Sequence, residues 1–195
     1  MSPFHLGILG SGKGSNFRAI LEAIEAGRLH ASVAIVCSDV PDAGILEIAR
    51  RAGIATSVIE EKRLRTRLSP DTEIGLVQQL RDAGVSLVVL AGYMRLLKAP
   101  MLEAFPRRII NIHPSLLPKF PGLEAWRQAL EAGETLTGCT VHFVDEGMDS
   151  GEIIAQASVP VLSGDSPALL HARIQEAEHK LYPEVIQRFV RGELP

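Results

Sequence analysis

Cysteine is nearly missing from this 195-residue chain: Cys37 and Cys139 are the only two, and they stand 102 positions apart. Such a pair builds no disulfide framework and has no metal-type spacing, so a structural zinc site is excluded as a reading and both thiols are taken as small core residues. Charge of one sign is lacking too. With 20 Lys and Arg against 23 Asp and Glu, the formal net charge is −3, which offers no general attraction for nucleic acid. No apolar run reaches the roughly 18 residues of a membrane span. Met1 to Leu9 has no basic segment followed by a long apolar stretch, so a cytoplasmic protein is expected. Repeats, low-complexity tracts and dividing linkers are also absent, and residues 1–195 read as one domain.

What is present, 46% hydrophobic and 22% charged residues, suits an ordinary globular core. Short apolar runs alternate with segments of helical period, the pattern of parallel strands joined by crossover helices. Strands are predicted near Phe4 to Leu9, Ser32 to Val36, Thr56 to Ile59, Leu87 to Ala91 and Ile109 to His113. Helices fall at Asn16 to Ala26, Ile45 to Ala52 and Glu73 to Ala83, and another around Leu123 to Ala132. Thr137 to Val144 and Ile153 to Val161 read as strands joined by a turn that reverses the chain. A long helix starts at Ser166 as N-cap with Pro167 at its first position, and Pro183 predicts a kink or two abutting helices. The fold class is therefore α/β, an open, mostly parallel sheet with helices on both faces and later strands partly antiparallel. Ligands of such sheets bind beyond the carboxyl ends of the strands, where strand order reverses.

Three segments at those ends carry chemistry. In Ile109-Ile110-Asn111-Ile112-His113-Pro114, strand alternation sends Ile110 and Ile112 into the core and leaves Asn111 and His113 on one face. An amide donor beside an imidazole suits a reaction that builds negative charge on a carbonyl oxygen. Gly7-Ile8-Leu9-Gly10-Ser11-Gly12-Lys13-Gly14-Ser15-Asn16 links a strand to a helix, the place where free N–H groups hold a phosphate. It satisfies neither a P-loop, because Gly14 replaces the hydroxyl residue, nor a dinucleotide fingerprint, because Ser15 replaces the third glycine. Asp149 sits between Gly147 and Gly151, and those glycines let its carboxylate approach His113 and raise the imidazole pKa. Gly92 to Leu97 ends the most apolar strand with mixed apolar and cationic groups. Gln175 and Glu178 share a helix face able to border a pocket, whereas Trp126, His171 and His179 read as packing or surface residues. Glu61 to Arg67 is a charge run, mostly a solvated face, that also suits an anionic ligand tail.

These motifs occur in the order Gly12-x-Gly14-Ser15-Asn16, Leu90-Ala91-Gly92-Tyr93-Met94-Arg95, Asn111-Ile112-His113-Pro114-Ser115-Leu116-Leu117-Pro118, then Gly138-x-x-Val141-His142-Phe143-Val144 with Met148-Asp149-x-Gly151. Together they resemble the folate-dependent phosphoribosylglycinamide formyltransferases over about Leu6 to Val190. The resemblance implies a formyltransferase, Rossmann-like fold, with a phosphate-binding half at about 1–100 and a folate-binding, catalytic half at about 101–195. It implies formyl transfer from 10-formyltetrahydrofolate as co-substrate to glycinamide ribonucleotide in purine biosynthesis. Asn111, His113 and Asp149 would be catalytic, with Gly14, Ser15, Asn16, Met94, Ile112, Pro114, Gln175 and Glu178 around the ribonucleotide. The folate would lie near Met94, Arg95, Leu96, Leu97, Asn111, Val144, Asp145, Glu146 and Asp149; Arg67 stands near an arginine that touches folate in that family. It further implies small-molecule partners only, no metal, no nucleic acid or membrane, and a monomer or homodimer. Another enzyme that uses 10-formyltetrahydrofolate, a hydrolase or one like methionyl-tRNA formyltransferase, and a non-catalytic nucleotide-binding module stay open as alternatives.

Overall fold

The structure, a computed structural model, describes residues 3–61 and 64–195; Lys62 and Arg63 of the basic run lie outside the described residues. In chain order the elements are β1 (His5–Leu9), α1 (Ser15–Glu25), β2 (Ser32–Ser38), α2 (Gly44–Arg51), β3 (Ala55–Val58), α3 (Pro70–Asp82) and β4 (Leu87–Leu90). They continue as α4 (Ala99–Ala104), β5 (Ile109–His113), α5 (Ala125–Glu131), β6 (Leu136–Phe143), β7 (Ile153–Pro160) and α6 (Pro167–Val190). Seven strands form one sheet in the order β3-β2-β1-β4-β5-β6-β7. The first five are parallel, β6 pairs antiparallel with β5, and β7 pairs antiparallel with β6.

Alternation along β4 shows why the strands read as unbroken apolar runs. Leu87 and Val89 join one core with Phe17 and Ile20 of α1, Leu46 of α2 and Ile174 and Val185 of α6. Val88 and Leu90 join the opposite core with Leu76 and Leu80 of α3 and Met101 of α4. Both faces are thus covered, as parallel sheets require. Strand order reverses between β1 and β4, so a crevice opens at their carboxyl ends.

Two local expectations are refined. Sequence reading gives no bounded helix between β4 and β5 and leaves open only a helix start after the Ala91 to Leu97 strand end; α4 is there, and its six residues, with Pro100 in the first turn, are too few to show a helical period. At Pro183 a kink or two abutting helices are expected; two helices are not what is found, since α6 runs as one helix from Pro167 to Val190 with Pro183 inside it. Proline withholds one N–H from the helix, but Tyr182, Pro183, Val185 and Ile186 are all buried, and their packing holds the helix together. Ser166 does cap it, its side chain accepting the Leu169 N–H at 3.3 Å.

Tyr182 fastens α6 to the sheet beneath the site. Its fully buried hydroxyl lies 2.8 Å from the Leu90 carbonyl and 3.1 Å from that of Ile110, joining the end of β4 to the first half of β5. Tyr182→Phe should therefore cost about 1–3 kcal/mol, the scale for stranding a buried acceptor. A urea midpoint unchanged from the parent would show that those carbonyls do not depend on the hydroxyl.

Candidate active site

The crevice is a cleft of 640 Å³ bounded by the β1–α1 turn, the 90–97 segment, the end of β5, the 142–149 segment and one face of α6. Its first wall is the glycine-rich turn. Gly14, with φ of 81°, stands at the N-cap of α1, and a Cβ there would lie 2.9 Å from Ile45 Cα. At Gly10 a Cβ would meet the Ala91 carbonyl at 2.8 Å, whereas at Gly12 it would meet nothing within 4 Å. Packing thus explains Gly10 and Gly14, and Gly12 leaves open space. The first helical bond runs from Arg18 N–H to Gly14 O, so the amides of Ser15, Asn16 and Phe17 precede it and suit an anion.

The adjoining wall comes from α6. Asn16 Nδ2 donates to Glu178 Oε2 at 2.9 Å, and Asn16 Oδ1 is buried without a partner. Burial pushes the Glu178 carboxyl up to about 7, although the Asn16 bond opposes the shift. Gln175 lines the same face, and His171 stacks on Trp126 with ring centroids 3.7 Å apart. Both rings, read from sequence as packing or surface residues, pack on each other and line the cleft. Burial also keeps His171 below its ordinary value.

At the floor the polar side chains converge. Antiparallel pairing sets Asn111 opposite His142 and His113 opposite Thr140. His142 Nδ1 donates to the Phe143 carbonyl at 2.8 Å, and its Nε2 lies 3.2 Å from Asn111 Nδ2 and 3.7 Å from Asp149 Oδ1. His113 Nε2 donates to the Phe120 carbonyl at 2.8 Å, and its Nδ1 lies 3.2 Å from Asp149 Oδ2. Asp149 adopts a left-handed φ of 54°. It reaches the ring because Gly151 crosses the end of β6, where a Cβ would stand 1.8 Å from the Phe143 carbonyl. The Gly122 N–H also donates to Asp149 Oδ2, at 2.8 Å.

Each ring nitrogen of His113 thus faces an acceptor, a geometry that suits the imidazolium. Burial nevertheless holds His113 below its ordinary value; Asp149 and the Phe120 carbonyl pull upward and are outweighed. The expectation that Asp149 raises this pKa is right for its own influence and wrong for the sum. For Asp149, burial raises the pKa, but the His142 ring, the Gly122 amide and His113 together bring it below the usual range. A carboxylate therefore persists beside the imidazole.

Of the residues singled out from sequence, Gly14, Ser15, Asn16, Met94, Arg95, Leu96, Leu97, Asn111, Ile112, His113, Pro114, Val144, Asp145, Asp149, Gln175 and Glu178 line this cleft. Arg67 and Glu146 are exposed and are not in its lining. Arg95 turns its guanidinium out of the cleft, donating to Asp39 Oδ2 at 2.6 Å. Sequence reasoning gave no role to His142 or to the Phe120 carbonyl. For His142 a signal exists: Cys139, Val141 and Phe143 enter the core, so strand alternation places His142 on the polar face. No comparable signal marks a backbone carbonyl. Among the described residues no cluster has the arrangement of a metal-ligand set.

An open α/β sheet with a glycine-rich turn of free helix-end amides and an amide, imidazole and carboxylate at one strand end defines an enzyme of carbonyl group transfer. The chain belongs to the formyl transferase family, which it matches over residues 5–186. It is 44% identical over 187 residues to phosphoribosylglycinamide formyltransferase of Escherichia coli, covering 96% of this chain and 87% of that protein. It is 47% identical over 189 residues to the trifunctional purine biosynthetic protein adenosine-3 of Drosophila pseudoobscura pseudoobscura, covering 96% of this chain and 14% of that protein. The chain thus spans about one seventh of that longer relative's length. Among solved structures, glycinamide ribonucleotide transformylase 1 from Symbiobacterium toebii superposes with a TM-score of 0.90 at 51% identity, over 97% of this chain and 89% of that one. A formyltetrahydrofolate deformylase from Pseudomonas syringae, at 22% identity and a TM-score of 0.89 over 98% of this chain and 62% of that one, shares the fold.

Glu178 makes stability depend on pH. Its folded pKa, about 7, is above the unfolded 4.5, so the stability that its proton supplies is complete below 4.5 and is lost as pH rises through 7. Glu178→Gln stays neutral at every pH. Its unfolding free energy should gain on the parent between pH 4.5 and 7, by on the order of 3 kcal/mol, and then run parallel. Parallel curves across the whole range would contradict a shifted carboxyl.

Proposed function

We propose that the chain transfers the formyl group of 10-formyltetrahydrofolate to the amine of 5-phosphoribosylglycinamide. The observation that carries this reading is the meeting of Asn111, His113 and Asp149 in one cleft with the Gly12–Asn16 turn. The ribonucleotide phosphate would rest on Gly14, Ser15 and Asn16, with Met94, Ile112, Pro114, Gln175 and Glu178 about its sugar and amine. The folate would lie along Arg95 to Leu97 and Val144 to Asp149, where Leu90, Leu97 and Val144 supply apolar surface for a planar ring system. Two small-molecule substrates complete the reaction, which needs no metal, nucleic acid or membrane, and a cytoplasmic monomer or homodimer suffices for it.

In the reaction the amine adds to the formyl carbon and the carbonyl oxygen becomes an alkoxide. Asn111 Nδ2 sits 3.5 Å from Asp149 Oδ1, a contact too long to compete with a fully charged oxygen, so that N–H is free to donate to it. In its protonated form, which Asp149 favours against the pull of burial, His113 supplies a second donor at Nδ1, the nitrogen it shares with Asp149 Oδ2 3.2 Å away. Asp149 then relays the amine's proton, through water, to the folate nitrogen as the alkoxide reforms the carbonyl and the bond from the formyl carbon to that nitrogen breaks.

Mixing the protein with both substrates and following folate absorbance tests the activity; formate release without the amine substrate would support a hydrolase instead. Asn111→Ala should lower turnover by roughly two to three orders of magnitude, the loss for one oxyanion donor. Parental turnover in that variant rules out the role. Asp149→Asn removes the ionised partner that favours imidazolium, so the His113 titration seen by NMR should move to lower pH, with turnover at neutral pH down roughly 100-fold. A parental titration and rate would take Asp149 out of the trio.

A further inference from the structure

Behind the cleft wall, a buried ion pair joins four stretches of chain, and one of its members, Asp39, has no part in the reaction above. Asp39, just past the end of β2, is ion-paired with Arg95, the two side chains being 7% and 11% exposed. Asp39 Oδ2 accepts from Arg95 Nε at 2.6 Å, and Oδ1 accepts from the Ser11 hydroxyl at 2.6 Å. Ser11 Oγ in turn accepts the Met94 N–H at 3.0 Å, while the Ser11 N–H bonds to the Gly92 carbonyl at 3.0 Å. Arg95 Nη1 reaches the carbonyls of Leu64 and, at 3.2 Å, Arg67. Beside them the Leu96 N–H bonds to the Thr66 carbonyl at 2.9 Å, within an isolated bridge between Arg67 and Leu96.

One carboxylate therefore ties the glycine-rich turn to the 92–97 wall and, through the guanidinium, to the 64–67 segment. Removing either charge strands the other in a buried place, so the pair acts as a unit. A buried ion pair is weak ground for stability alone; its value here is geometric. We infer that Asp39 is a positioning residue, which sets the spacing between the turn proposed to hold the phosphate and the wall proposed to hold the folate, and touches neither substrate. The inference rests on the proposed formyl transfer. Asn111, His113, His142 and Asp149 bond to one another, to Phe120, Phe143 and Gly122, and to no member of the cluster. Disturbing Asp39 therefore moves the two binding walls and leaves the reacting groups in place.

The test combines kinetics with amide hydrogen exchange on Asp39→Ala, Asp39→Asn, Arg95→Met and the Asp39→Ala/Arg95→Met double variant. Asp39→Ala should raise KM for both substrates roughly tenfold with kcat within about threefold of the parent. Asp39→Asn, which keeps one acceptor and loses the charge, should fall between. The double variant should be no worse than either single change, because neither charge is left alone. Without any substrate, the amides of Met94 and Leu96 should exchange faster in Asp39→Ala. Parental KM values, a loss confined to kcat, effects that multiply in the double variant, or parental exchange at Met94 and Leu96 would each overturn the inference. If the parent protein transfers no formyl group, the functional reading falls, and the exchange measurement still decides whether Asp39 holds the joint. Should Asp39→Ala fail to fold, the double variant carries the comparison, and parental KM and exchange in it overturn the inference.

Discussion

The antiparallel pairing of β6 with β5 is the interaction on which the site depends. Five parallel strands by themselves would present only strand ends and crossover loops. Reversing the sixth puts His142 directly across from Asn111 and Thr140 across from His113. It also sends the following segment back over the strand ends, so that a carboxylate 36 residues further along the chain returns to within 3.2 Å of His113. Packing of Cys139, Val141 and Phe143 against α6 and its neighbours secures the register, since a slip by one residue would turn every one of them to the wrong face.

Burial then sets the electrostatics, and it acts differently on each group. It lifts Glu178 to about 7, where one polar partner, Asn16, cannot offset the loss of water. It pulls His113 toward its neutral form against two favourable acceptors. Asp149 escapes, because the rings around it and the Gly122 amide together outweigh desolvation. Environments that drive neighbouring titratable groups in opposite directions are how one cleft assigns proton donors and acceptors near neutral pH.

Much of this was legible in the residues. Alternation in Ile109 to His113 places the amide and imidazole together, and glycines at 10, 12 and 14 mark the turn before α1, because these signals are local. The reach of Asp149 was legible only as a possibility of its glycine-flanked loop. The Phe120 carbonyl, the turning of Arg95 toward Asp39 and the summed pKa of His113 were not legible, since each depends on contacts between distant segments. Pro183 shows the converse: a strong local breaker yields when the helix around it is buried.

The Phe120 carbonyl carries a consequence for anyone shaping molecules to this cleft. By occupying Nε2 it pins the imidazole against ring flips, so His113 offers visitors a single edge, already shared with a carboxylate. Compounds that place a hydrogen-bond acceptor there compete with Asp149 for one proton, whereas those that bring their own proton confront whichever partner lacks it.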